Sequence, residues 1–148
     1  EAMAEYNLPV NARACLDLSD CWNEAYDAVK VILSDKRNRP DALICFNDYV
    51  ANDVLNAALD LGIRVPEEVS LLSADAVNEQ LDVSMPGYAI TSFNNRYDLR
   101  TRIAAERLLS RLEGNTDPPV HCEVMGRLVE GNTVRRIANH SSMEDILL

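Results

Sequence analysis

Apolar positions along the chain change their spacing several times, and each change marks an element. Ala25, Ala28, Val29, Ile32 and Leu33 recur at i, i+3, i+4, i+7 and i+8, the stripe of an amphipathic helix, with Asp27, Lys30 and Asp35 on the other face. "ALICF", Ala42 to Phe46, is apolar at every position and predicts a strand buried on both faces, as in a parallel sheet. A second helix follows on Val50, Ala51, Val54, Leu55, Ala58 and Leu61, and Gly62 stops it. "VSLLSA" (Val69 to Ala74) and "YAITSF" (Tyr88 to Phe93) are further apolar strands. "ARACLDL" (Ala12 to Leu18) is another candidate, followed by a Ser19-Asp20 break that can cap the first helix. A long helix is predicted from about Tyr97 to Leu112, turning Leu99, Ile103, Ala105, Leu108, Leu109 and Leu112 toward a core and closing at Gly114. The remainder, "VHCEVMGRLVEGNTVRRI", alternates and contains Gly131-Asn132, so it reads as one or two extended segments with a turn. The opening "EAMAEYNLPV" reads as the end of a helix stopping near Asn7, and the tail past Ile137 shows no element, although Ile146, Leu147 and Leu148 offer an apolar end that could dock.

Repeated strand, short loop, helix units imply an α/β fold: a Rossmann-like parallel sheet with helices on both faces. Ligands of such sheets bind at the carboxyl ends of the strands. Two apolar runs stop there in polar residues, Asn47-Asp48 and Asp75. Helix capping is the competing account for Asn47 and Asp48. It serves Asp75 less well, since no strong helical pattern follows that residue.

Composition narrows the class. A chain of 148 residues suits one domain and buries roughly two thirds of its unfolded surface. Its apolar runs fall short of the roughly 20 residues that span a bilayer, so no membrane partner is expected. A net charge of −10 opposes direct contact with DNA, whose phosphates are met by clustered Lys and Arg. Cys15, Cys21, Cys45 and Cys122 form no C-x-x-C pair, and reduced core thiols are the expectation, with Cys45 and Cys122 inside apolar strand-like runs. His121 and His140 have no nucleophile at a recognisable spacing. No catalytic residue, metal site or cofactor is therefore expected, and the chain reads as no enzyme.

The segment "PDALICFNDYVANDVLNAALDLGIRVPEEVSLLSAD" closely resembles the effector-binding core of the lactose/galactose repressor (LacI/GalR) family of bacterial transcription regulators. The "ND" turn, the "LGIRVPEEVSLL" passage and the Asp after it keep the family's order and spacing, and the likeness runs from about Glu1 to Ile137, including "AITSF" and "LVEGNT". It implies a periplasmic-binding-protein-like pair of lobes around a ligand cleft. Residues 1–93 then correspond to the carboxyl-terminal lobe without its first strand, 94–130 to the segment that crosses to the amino-terminal lobe, and 131–148 to the return segment and tail. On this likeness the lobe is expected to be incomplete, and DNA to be met only through an amino-terminal domain outside this chain. A small-molecule effector, most often a sugar, would close the cleft and change operator affinity.

Residue by residue, Asp75 matches the family's effector-contacting Asp and Asn47 a position that often reaches the ligand. The family often has an aromatic residue just before the first helix, at the position of Asp20. Trp22, two residues later, either lines the cleft or packs in the core, and Asp20 either holds a sugar hydroxyl or caps the helix. Asp53, Ala76 and Glu130 depart from the family's usual Gly, second polar residue and Arg, which points to an atypical effector. Reduced thiols fit a cytoplasmic protein. In the family the stripe Ile103, Ala105, Leu108, Leu109 and Leu112 packs on the amino-terminal lobe, and family members dimerise through this core without the resemblance fixing the surface; a homodimer is expected, with Leu108 and Leu109 near the contact or in an exchanged segment. A periplasmic sugar-binding receptor, or the same effector domain on a different DNA-binding head, is the alternative, and upstream sequence separates them.

Overall fold

A computed structural model of the chain describes residues 2–7, 15–17, 24–76 and 85–136. In chain order its elements are α1 (Ala2–Glu5), α2 (Ala25–Ser34), β1 (Ala42–Ile44), α3 (Asp48–Asp60), β2 (Ser70–Ala74), β3 (Thr91–Asn94), α4 (Tyr97–Leu112) and β4 (Arg127–Val129). The sheet order is β1-β2-β3-β4, the first three strands parallel and β4 antiparallel to β3.

The core forms where α2 lies on α3 and α3 on β2. Ala25, Val29 and Leu33 of α2 are buried, as are Ala51, Val54, Leu55 and Ala58 of α3, so the small alanines let the helices approach while four aliphatics fill the seam. Each large aliphatic contributes about 1.5 to 3 kcal/mol by leaving water. Tyr26 donates its hydroxyl to Asp60 across the two helices, and Lys30 Nζ donates to the same phenolic oxygen at 2.8 Å. Leu71 and Cys45 complete the core from the sheet, with Ile63, Val65 and Val69 below.

The expected burial of "ALICF" on both faces does not occur. Leu43 and Cys45 turn toward the helices, whereas Ile44 is 79% and Phe46 69% exposed. β1 is the edge of the described sheet, and the core cluster lies on the other face. Of the strand expected over Ala12–Leu18, residues 15–17 carry no strand pairing and are exposed. The rest of it lies outside the described residues.

β3 begins three residues later than the apolar run because another segment occupies its place. Thr133, fully buried, donates its hydroxyl to Leu71 O at 2.7 Å and accepts the Thr91 N–H at 2.9 Å. Asn132 bonds both backbone groups of Ala89. The turn expected at Gly131-Asn132 is thus a wedge under β2 and β3.

α4 covers the predicted residues, yet none of its side chains is buried. The stripe expected to face a core is open, because the helix makes no extensive contact with another described element. The thiols also differ from expectation: Cys45 is buried, but Cys15 and Cys122 are exposed, and residues 119–126 form no strand. Cys21 lies outside the described residues.

Candidate functional site

A polar residue stands at or just past the carboxyl end of each of the three parallel strands: Asn47, Asp75 and Asn94. Ile44 pairs with Leu72, and Leu72 with Thr91. Ala74 pairs with Phe93, so Asp75 and Asn94 follow in step, and Asn47 stands three residues past the end of β1. Adjacent strands lie about 4.8 Å apart, so the row spans on the order of 10 Å, the size of a sugar ring with its hydroxyls.

Asp75 continues the ladder, its N–H donating to Phe93 O at 2.9 Å, and the backbone then turns sharply. Asp75 has φ 80° and Ala76 φ 46°, a region that an L residue enters at a cost of about 1 to 2 kcal/mol. Asn95 Nδ2 donates to Asp75 Oδ1 at 3.0 Å. Among the described residues Oδ2 accepts nothing and remains able to take a ligand hydroxyl.

Asn47 is the N-cap of α3. Its backbone is extended and its side-chain oxygen accepts the Val50 N–H at 2.9 Å. Capping and ligand contact are not exclusive here: Oδ1 serves the helix, and the Nδ2 amide can only donate. Asp48, by contrast, is no cap. It is the first residue of α3, fully buried, and its Oδ1 accepts the Ser92 hydroxyl at 2.8 Å.

Asn94 and Asn95 are additions that the sequence reading missed. Asn94 Oδ1 accepts the Arg96 N–H at 2.7 Å, fixing the turn into α4. Both stand where the apolar run of β3 stops, the signal that marked Asn47 and Asp75. Trp22 and Asp20 lie outside the described residues.

Chemically the row offers a carboxylate acceptor beside amide donors, which suits a polyhydroxylated ligand. Among the described residues no group of His, Cys, Asp and Glu is placed to hold a metal ion. No described helix is long and apolar enough to cross a membrane.

Comparison with known proteins places the fold in a family. Residues 1–134 match the family model of the periplasmic binding protein-like domain. The chain is 30% identical over 134 residues to the HTH-type transcriptional repressor PurR of Yersinia pestis bv. Antiqua (strain Antiqua), covering 90% of this chain and 38% of that protein. A LacI family transcriptional regulator from Bifidobacterium animalis subsp. lactis DSM 10140 superposes with a TM-score of 0.73 at 26% identity, over 93% of this chain and 48% of that one. A LacI family regulator from Lactobacillus casei, solved with bound sucrose, shares the fold with a TM-score of 0.72 at 18% identity, over 89% of this chain and 47% of that one. The chain belongs to the periplasmic binding protein-like domain family, and within it corresponds to part of the effector-binding core of a LacI-family regulator. It spans 38% of the repressor's length and just under half of each of the two solved chains.

Proposed function

We propose that this chain is one wall of a sugar-binding cleft in a cytoplasmic, DNA-binding transcription regulator, and that the effector acts there by favouring one arrangement of two lobes. The observation that carries this reading is the row Asn47, Asp75 and Asn94 at the carboxyl ends of adjacent parallel strands, where open α/β sheets bind their ligands. The sucrose held by the Lactobacillus casei neighbour supports a sugar as the effector class. Asp75 is the principal acceptor and Asn47 the donor.

Residues 94–130 cross to the opposing lobe in this reading, which accounts for an α4 with no buried side chain. The chain performs no catalysis, and its net charge of −10 leaves operator contact to a separate domain. The test is effector-dependent operator binding by the intact regulator. Asp75→Ala is expected to weaken effector affinity by about 10- to 150-fold, the value of a hydrogen bond to a charged group, with little change in melting temperature. A substituted regulator that responds normally reduces Asp75 to a structural residue.

A further inference from the structure

Asp48 has a fully buried carboxylate that neither caps its helix nor stands in the row of candidate ligand contacts. Burying a charge is costly unless it is well bonded, and an apolar residue there would fill the space more cheaply. Its partner shows what the charge does. Ser92 donates its hydroxyl to Asp48 Oδ1 at 2.8 Å, and the same Ser92 oxygen accepts the Ala76 N–H at 2.9 Å. An amide N–H only donates, so a Ser92 lone pair faces Ala76 and its one hydroxyl proton is given to Asp48. Ser92 and Ala76 are each 1% exposed, so water does not compete.

The bonded chain therefore runs from the first turn of α3, through β3, to the second of two consecutive left-handed residues. The α3 N-terminus favours a negative charge at position 48. Asp48 adjoins Asn47, Ser92 precedes Asn94 by two residues, and Ala76 follows Asp75. One buried chain thus ties together all three strand ends that carry the row.

We propose that Asp48 and Ser92 are positioning residues of the effector site: they hold the Asp75–Ala76 turn in its left-handed form and so fix where the Asp75 carboxylate stands. The proposal rests on the reading of Asp75 as an effector contact, and its test separates the two. Ser92→Ala, Ser92→Thr and Asp48→Asn are made in the 148-residue chain. Amide hydrogen exchange is followed by NMR at Ala76, with Leu71, bonded to Thr133 O at 2.7 Å, as the internal reference. The same proteins are titrated calorimetrically with glucose, sucrose and cellobiose.

Ser92→Ala is expected to speed exchange at Ala76 by about tenfold or more relative to Leu71, a local opening rather than a global one. Ser92→Thr, which keeps the hydroxyl, should restore the unsubstituted ratio, and Asp48→Asn should fall between. Any sugar bound by the unsubstituted chain should bind Ser92→Ala at least several-fold more weakly. Equal acceleration at Ala76 and Leu71, or none at either, makes Asp48 and Ser92 stabilisers of the fold alone and overturns the proposal. Faster exchange at Ala76 with undiminished sugar binding also overturns it, by uncoupling the turn from the site. Should the unsubstituted chain bind none of the sugars, the sugar reading suffers, and the exchange ratio still decides whether Asp48 and Ser92 hold the turn.

Discussion

Thr133 donates its hydroxyl to the Leu71 carbonyl at 2.7 Å, although 62 residues separate them. With the Thr91 N–H received on the same oxygen, one side chain closes the sheet where β2 and β3 have parted. Thr133→Val keeps the shape and leaves two buried backbone groups without a partner, so a loss of about 2 to 4 kcal/mol is expected. Urea unfolding followed by circular dichroism measures it. Gly131→Ala is the harsher change, because a Cβ there would stand 1.9 Å from Ala89 O. A Gly131→Ala chain as stable as the unsubstituted one would contradict the wedge.

Asn47 allows cap and ligand donor to be separated. Asn47→Asp keeps a side-chain oxygen for the Val50 N–H and removes the amide donor, so stability should hold while effector affinity in the intact regulator falls. Asn47→Ala removes both, with about 1 kcal/mol lost from the cap. Parallel melting curves and effector titrations decide: two variants with equal affinity would show that the amide makes no ligand contact.

Cys45 carries a pH dependence. Burial pushes its thiol up to about 12, and the nearby Asp48 carboxylate adds in the same direction. The folded state therefore keeps a proton that the unfolded chain releases from about pH 8.5 upward. Stability from this group is full below that pH and drains as pH climbs toward about 12. Cys45→Ala should flatten the alkaline fall in denaturant midpoint relative to the unsubstituted chain. Native-state iodoacetamide labelling with peptide mapping should modify the exposed Cys15 and Cys122 well before Cys45.

What the sequence disclosed and withheld follows from the range of each interaction. Asn47 and Asp75 were legible because a polar residue at the end of an apolar run is a local signal, and α4 because helical spacing and Gly114 are local too. Spacing states that a face is apolar and is silent on what covers it, so Ile44, Phe46 and the α4 leucines were expected in a core that they do not enter. The capping rule treated Asn47-Asp48 as a unit and could not say that Asn47 takes the cap while Asp48 reaches Ser92, 44 residues away. Ser92 itself, inside an apolar run, carries no local mark at all. Thr133 sits in the polar stretch "EGNT", and its partners Leu71 and Thr91 lie 62 and 42 residues away, beyond any local spacing.

α4 presents an open apolar face. Leu108, Leu109 and Leu112 are all more than half exposed, and Val120 and Met125 add further apolar surface. Side chains of this size do not stay in water without consequence. Paired about a two-fold axis, the three leucines from each of two copies would gain about 9 to 18 kcal/mol in transfer terms. Association itself costs about 4 to 15 kcal/mol, and a surplus of about 8 kcal/mol, within the spread of the two ranges, makes a dimer of micromolar strength. The charged residues of the same helix, Arg107 and Arg111 beside Glu106 and Glu113, are mixed in sign and do not forbid an antiparallel pairing. Light scattering of the chain at tens of micromolar should therefore give twice the monomer mass. The double substitution Leu108→Glu, Leu109→Glu should return it to a monomer without loss of helical signal, since neither leucine supports the described core. A chain that is monomeric before substitution, or a dimer that survives it, would rule out α4 as the contact.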